Sequence, residues 1–380
     1  MFKIKISTGR KAYPKTYPVF LGTDLLDRLG SLVSAVLPAC PLLAVSDAQV
    51  APHYGERCLL SLRRAGFNPS LVVLEGGERE KTPATVQALY TRALEAGLGR
   101  DGAMLALGGG VIGDLTGFAA ATYLRGIPYV QVPTTLLAMV DSSVGGKVGV
   151  NHPLGKNLIG AFHQPALVVG DMSTLHSLPA REFNAGLAEL VKYGIIWDEK
   201  LFARMESLAF PGCGAAAANP FLTAGNPRLL ELIARAVQIK GEIVYRDERE
   251  ADLRRTLNFG HTFGHALEAA TGYSYFLHGE AVACGMAMAV RLAVLLSLLD
   301  PQTARRINRL LGALPVPSPP PGLSREAMLK SLYYDKKRQG EKLVFILPVA
   351  LGRAQVYKAP PISLVEQVIG EYMQKNFGTQ

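Results

Sequence analysis

The chain has 380 residues, room for two domains at about 150 residues each. Its 49% apolar and 19% charged residues make it too hydrophobic for disorder and too interrupted by charge for a multi-span membrane protein. Forty Lys and Arg against 31 Asp and Glu leave a net charge of +9, which points to an anionic partner such as a phosphate, a nucleotide, a nucleic acid or a lipid surface.

Residues 1–5 alternate as an edge strand and carry no apolar signal core, so neither secretion nor an N-terminal membrane anchor is expected, and the expected location is cytoplasmic. β-rich runs at 42–45, 71–74, 104–107, 129–132 and 167–169 alternate with helical patterns, which predicts a mainly parallel, Rossmann-like sheet with crossover helices. Several of these runs end in polar or glycine residues, at 46–47, 75–77, 108–110 and 133–135, where open α/β sheets place their ligand crevice. From residue 180 the pattern changes to long helices at 181–197, 227–246, 261–270 and 280–299, with a strand signal at 342–347. An α/β domain over 1–179 followed by a mainly α-helical domain over 180–380 is expected. The apolar stretch 281–299, broken by Gly285 and Arg291, reads as a buried helix rather than a membrane span. Segments 210–227 and 315–322 read as surface connections, and Ser363 with Glu366 predicts a capping box opening a last helix.

The four cysteines, Cys40, Cys58, Cys213 and Cys284, show no CxxC spacing, so neither a Cys-built zinc site nor a disulfide framework is expected. Gly108, Gly110 and Gly113 satisfy GxGxxG directly after a strand run, a turn in which backbone N–H groups can approach a pyrophosphate. The acidic residue that a Rossmann fingerprint places about 20 residues on is missing, since that region holds Arg125. Asp47 and Asp114 suit either a ribose or cofactor contact or a helix cap. The glycine-rich stretch 141–157, with Lys147 and Lys156, suits phosphate groups or is a loop with solvated lysines. It is not a P-loop, because Val148 and Asn157 follow the lysines where Ser or Thr is required.

Three of the seven histidines, His261, His265 and His278, fall within 18 residues. His261 and His265 are one helical turn apart, yet the glutamate of HExxH is absent, which argues against a zincin-type protease. A carboxylate from elsewhere, with Glu189 the candidate, completes a metal site with an open position; the bland alternative is a set of core histidines. Spacing leaves open whether His261 pairs with His265 or with His278. Lys192, Lys240, Arg254 and the pair Lys336 and Lys337 are scattered cations without a basic tract or interleaved aromatics, so a small, multiply anionic metabolite is expected rather than nucleic acid or membrane.

Taken together, the segments 108–114, 133–135, 141–147, 156–157, 188–192, 257–265 and 278–281 closely resemble the 3-dehydroquinate synthase family, and the match runs through almost the whole chain. The departure is the Ala/Gly/Pro-rich segment 210–227, which holds no candidate catalytic group. The resemblance implies an NAD-dependent and zinc- or cobalt-dependent lyase of the shikimate pathway. Such an enzyme converts 3-deoxy-D-arabino-heptulosonate 7-phosphate to 3-dehydroquinate and phosphate by transient oxidation, phosphate elimination, reduction and aldol closure. A homodimer is implied as well.

Carried over motif by motif, the resemblance implies Glu189, His261 and His278 as metal ligands, with His265 left to bond substrate or relay protons. Asp141, Lys192 and Glu250 would orient substrate hydroxyls, and Lys240 and Arg254 would hold the substrate carboxylate. Lys147, Asn157, Asn258 and Lys336 would hold its phosphate, with Lys337 the alternative to Lys336 and Arg125 reaching in from a neighbouring subunit. The NAD positions would be Asp47, Glu78, Lys81, the turn of Gly110, Val111, Ile112, Gly113 and Asp114, then Thr134, Thr135, Lys147, Lys156, Thr174, Leu175, His176 and Ser177. Two rivals remain. Another sugar-phosphate cyclase, making a valiolone or an inosose, is disfavoured by Asn258 and Lys336, positions where valiolone-forming relatives differ. A metal-dependent polyol dehydrogenase would not need the cations Lys147, Lys240, Arg254 and Lys336.

Overall fold

Apolar runs that are buried on both faces organise the first half of the chain. The computed structural model describes residues 1–8, 16–210, 227–337 and 343–374, with backbone alone for 227 and 334–337. In chain order these form β1 (Phe2–Ser7), β2 (Thr16–Gly22), α1 (Leu29–Ser34), β3 (Pro41–Asp47), α2 (Ala51–Arg64), β4 (Asn68–Leu74), α3 (Pro83–Glu95), β5 (Ala103–Gly108), α4 (Gly110–Thr122), β6 (Tyr129–Pro133), β7 (Lys147–His152), β8 (Gly155–Phe162) and β9 (Leu167–Asp171). There follow α5 (Ala180–Ile196), α6 (Glu199–Ala209), α7 (Pro227–Arg246), α8 (His261–Ala270), α9 (His278–Leu295), α10 (Pro301–Gly312), α11 (Arg325–Lys337), β10 (Val344–Ala350), β11 (Arg353–Lys358) and α12 (Ile362–Met373). The described chain divides into two compact units. Met1–Pro179 and α7 form the first, and α5, α6 and everything from Arg249 onward form the second.

The first unit is a seven-stranded sheet of order β1-β2-β9-β6-β5-β3-β4, antiparallel only between β1 and β2. Alternation sends Leu42, Ala44, Leu105 and Leu107 onto α1 and α2 through Leu29, Leu32, Leu59 and Leu62. Leu43, Val45, Met104 and Ala106 face Val86, Leu89, Leu115 and Ala119 of α3 and α4. Strands β5, β6 and β9 are buried throughout, as parallel strands covered on both faces must be. The chain leaves β3 for β4 on one side and returns to β5 on the other, so the strand order reverses at β3. At such a reversal the adjacent connections part and leave a crevice at the carboxyl ends of the strands.

In the second unit α5 and α9 are almost wholly buried, which accounts for the apolar composition of both. Helix α9 is apolar and long enough to span a membrane by composition, but 72% of it is buried inside this unit. Its glycines set the packing. A Cβ on Gly279 would overlap the Ala185 carbonyl of α5, and one on Gly285 would overlap the Gly260 carbonyl at the start of α8. Helices α5, α8 and α9 thus meet at backbone contact. Arg181 of α5 forks onto Glu280 of α9, with Nε to Oε1 at 2.7 Å and Nη2 to Oε2 at 2.8 Å. The same Glu280 accepts the Leu277 N–H at 2.8 Å and fixes where α9 begins.

The structure departs from the sequence reading in four places. Stretch 141–157, read as a glycine-rich loop, ends in the antiparallel β7–β8 hairpin, whose polar and glycine residues concealed the strand pattern. Helix α7, expected in the helical domain, packs with the first unit: Gly241 meets Ile6 of β1, and the Lys240 ammonium donates to the Asp141 backbone oxygen and Oδ1, both at 2.6 Å. The capping box at Ser363 is absent. Helix α12 starts two residues earlier with Pro361 as its cap, and Glu366 instead accepts from Arg325 at 2.7 Å. The strand expected from Lys342 is described from Val344, and Lys342 lies outside the described residues, as does nearly all of 210–227.

Gly285→Ala should cost about 1–3 kcal/mol, because the methyl must push α8 and α9 apart. Gly312→Ala, with open space around the position, should stay within about 0.5 kcal/mol of neutral. Urea melts of both variants check this, and equal midpoints would show that the helices part freely.

Candidate active site

Each of the three glycine-packed helices delivers one potential ligand. Glu189 lies mid-way along α5, His261 opens α8 and His278 opens α9. The Glu189 side chain has no exposure, and its Oε1 lies 3.6 Å from His261 Nε2 and 3.9 Å from His278 Nε2. All three ligand atoms are within 4.8 Å of one another. Neither Glu189 oxygen accepts a hydrogen bond among the described residues, although the buried Lys192 ammonium, one turn on, is in ion-pair contact. A buried carboxylate without hydrogen bonds, facing two imidazole nitrogens, is a donor set suited to a divalent cation.

Second partners orient the imidazoles. His261 Nδ1 lies 3.1 Å from the Phe259 carbonyl oxygen, which can only accept, so the proton sits on Nδ1 and the Nε2 lone pair faces Glu189. Burial, then the neighbouring Lys192, His278 and His265, hold His261 well below the usual histidine value of 6.5, so it is neutral at pH 7. His278 Nδ1 lies 3.4 Å from Oε2 of the buried Glu268. His265 is exposed, its ring 5.5 Å from His261 and 5.9 Å from His278. This geometry favours the pairing of His261 with His278. Nearby in sequence, Asn258 Nδ2 donates to Glu250 Oε1 at 2.6 Å, and Arg254 is 2% exposed in the turn between them.

The first unit gathers the other candidates at the carboxyl ends of its strands. Asp47 ends β3 and accepts from the Gln49 and Val50 N–H groups at 2.9 Å, closing the turn before α2, whose own N-cap is Val50. Gly110, Val111, Ile112, Gly113 and Asp114 form the first turns of α4 beyond β5, where free N–H groups suit an anion. Thr134 and Thr135 follow β6; the buried Thr134 hydroxyl has no partner among the described residues, and Thr135 Oγ1 accepts the Ala138 N–H. Thr174, Leu175, His176 and Ser177 follow β9, with Ser177 Oγ 2.7 Å from Tyr54 Oη. Beyond β4, the buried Lys81 ammonium donates to Asp114 Oδ2 at 2.6 Å and to Asn157 Oδ1 at 2.5 Å. Burial raises the Asp114 carboxyl, which Lys81 opposes.

Lys147 and Lys156 lie on the β7–β8 hairpin. Arg125 is exposed on a turn where Leu124, Arg125 and Gly126 have φ of 49°, 69° and 116°. The side chains of Lys336 and Lys337, on the last turn of α11, lie outside the described residues. Two residues with evident roles escaped the sequence reading. Asn151 donates to Glu78 Oε1 at 2.7 Å and accepts the Asn157 N–H at 2.9 Å, tying two candidate segments together. Glu268 is the other; only its place one helical turn beyond His265 could have signalled it.

The fold places the chain in the sugar-phosphate cyclase class of enzymes. Two solved cyclases share the fold. The 2-epi-5-epi-valiolone synthase of Streptomyces hygroscopicus subsp. jinggangensis 5008, solved with NAD+ and Zn2+ bound, superposes with a TM-score of 0.83 at 31% identity, over 94% of this chain and 97% of that one. A 2-deoxy-scyllo-inosose synthase complexed with carbaglucose-6-phosphate, NAD+ and Co2+ gives 0.82 at 26% identity, over 97% and 99%. The family profiles of the N-terminal and C-terminal parts of 3-dehydroquinate synthase match residues 71–185 and 186–338. The 3-dehydroquinate synthase of Synechococcus sp. (strain CC9605) is 49% identical over 342 residues, 90% of each chain. This chain belongs to the 3-dehydroquinate synthase family.

The neutral His261 has a stability consequence with a definite sign. Below about pH 6.5 the unfolded chain takes up a proton on His261 that the folded chain refuses, so stability falls as pH drops through that value. For chelator-treated protein this residue should contribute a slope of up to about 1.4 kcal/mol per pH unit. Urea midpoints at pH 7.5 and 5.5 measure it, and His261→Gln should flatten the dependence.

Proposed function

We propose that this chain is a 3-dehydroquinate synthase, converting 3-deoxy-D-arabino-heptulosonate 7-phosphate to 3-dehydroquinate and phosphate. The observation that carries the reading is the convergence of Glu189, His261 and His278 beside Lys192, within a chain of this family. When bound, NAD supplies a hydride acceptor that is regenerated within each turnover, and zinc or cobalt supplies Lewis acidity toward substrate hydroxyls. Glu189, His261 and His278 hold the metal. The strand-end groups Asp47, Glu78, Lys81, Asp114, Thr134 and Thr135, with Lys156 on the hairpin and the turn after β9, hold the dinucleotide.

Asp141, Lys192 and Glu250 orient the hydroxyls of the sugar acid. Lys240 and Arg254 neutralise its carboxylate, and Lys147, Asn157, Asn258 and Lys336 its phosphate, so that negative charge gathering on the leaving phosphate meets fixed cations and amides. His265, exposed yet next to the imidazole pair, bonds substrate or relays protons. The enzyme works in the cytoplasm, a reading supported by the free thiols Cys40, Cys58 and Cys284, of which burial pushes Cys58 up to about 12. It acts as a homodimer, supported by the exposed apolar side chains Leu154, Leu158 and Phe162 along the hairpin and by the outward turn carrying Arg125.

The test is incubation of purified protein with the heptulosonate phosphate, substoichiometric NAD and zinc. Phosphate and dehydroquinate should form in equal amounts over many turnovers with no net absorbance at 340 nm. NADH accumulating with product would instead mark a dehydrogenase. His265→Asn should keep nearly stoichiometric zinc and lose roughly 10²-fold in kcat, whereas His278→Ala should lose the metal; the reverse pattern would overturn the ligand set. Mixing Arg125→Ala with Lys192→Ala subunits should restore activity in hybrid dimers, since one of the two sites then draws both intact residues. Confirmed heterodimers without activity would assign Arg125 to its own subunit's site.

A further inference from the structure

Glu268 is a buried carboxylate for which the proposed reaction has no use. It lies on α8 two turns beyond His261, is 2% exposed, and brings Oε2 to 3.4 Å from His278 Nδ1. His278 needs such a partner more than His261 does. The His261 ring is held by a backbone carbonyl and is largely enclosed, whereas His278 is the first residue of α9 and its side chain is 38% exposed. An imidazole at an exposed helix start can rotate and can place its proton on either nitrogen, and only one of those states turns an Nε2 lone pair toward Glu189.

We infer that Glu268 is a positioning residue for the metal, accepting the Nδ1–H of His278 so that Nε2 stands ready beside Glu189 and His261. The carboxylate fixes the tautomer and the ring orientation, and its negative charge makes Nε2 a stronger donor. This inference rests on the ligand set proposed above. A different use of the same atoms is a second cation held by His265, Glu268 and His278, whose ligand atoms also lie within 4.8 Å of one another. It would require His278 to give up its Nδ1 proton and bridge two cations, so one cation with Glu268 behind the histidine is the simpler chemistry.

Zinc affinity of the full-length protein, measured by competition with a chromophoric chelator, tests the inference alongside metal content and melting of the chelator-treated forms. Glu268→Gln should bind one zinc per chain about tenfold to a hundredfold more weakly than wild type, while its chelator-treated form melts where chelator-treated wild type does. Wild-type zinc affinity in Glu268→Gln overturns the inference, as does wild-type protein holding two zinc ions of which the variant loses one. If Glu268→Gln melts early, side-chain 15N shifts of His278 in zinc-free wild type decide: a proton on Nδ1 supports the role and a proton on Nε2 overturns it. His278→Ala separates the two levels of argument. Retention of full zinc affinity there defeats the ligand set itself, whereas its loss beside an unaffected Glu268→Gln defeats only the role of Glu268.

Discussion

A carboxylate taken wholly out of water must be compensated, and Glu189 imposes that demand on the helical unit. Its oxygens accept no hydrogen bond among the described residues, and around them stand an ammonium and two imidazole nitrogens. An isolated charge there would cost several kcal/mol. The features around it follow from the requirement that three helices present their groups at one point. Glycines at 279 and 285 allow backbone contact, and the Arg181–Glu280 fork anchors the start of α9. The Phe259 carbonyl and the Glu268 carboxylate aim the two rings.

The α/β unit uses a buried cation in a similar way. Lys81, 5% exposed, ties Asp114 at the start of α4 to Asn157 on the hairpin, and Asn151 links that hairpin to Glu78. Segments that are far apart in sequence are thereby held at the carboxyl ends of the strands, beside the reversal of strand order at β3. The +9 charge of the chain gains a local meaning here, since several of its cations stand among candidate anion-binding groups.

Architecture alone does not choose among the cyclases. A valiolone synthase superposes almost end to end at 31% identity, whereas dehydroquinate synthases reach 49%. The choice of substrate falls to side chains on this shared frame. The proposed function gives that part to Arg254, 2% exposed, and Asn258, bonded to Glu250, on the short 3-10 turn just before His261.

Much of this was legible without coordinates. Apolar runs of four residues marked β3 and β5, and one broken only by Gln131 marked β6, because a strand buried on both faces needs no polar alternation. Helices α7 and α8 were readable to their ends from apolar periodicity. Motif order carried the family, and with it Glu189, His261 and His278 as a set. What the sequence could not supply were facts that depend on distance between remote segments. Spacing favoured His261 with His265 as readily as with His278, and only the approach of α9 to α8 turned the Nε2 atoms of His261 and His278 toward one carboxylate. Helix α7 carries the same apolar pattern whichever unit it joins; contact with Ile6 and Asp141 decided that. The β7–β8 hairpin hid behind glycines and lysines that read as loop. Glu268 looked like any helical glutamate until folding buried it against His278. Local pattern determines which segments become helix or strand, because propensity and periodicity act over a few residues. Which polar groups end up sharing a buried space is decided by tertiary packing, because the cost of burying a charge depends on what else arrives there.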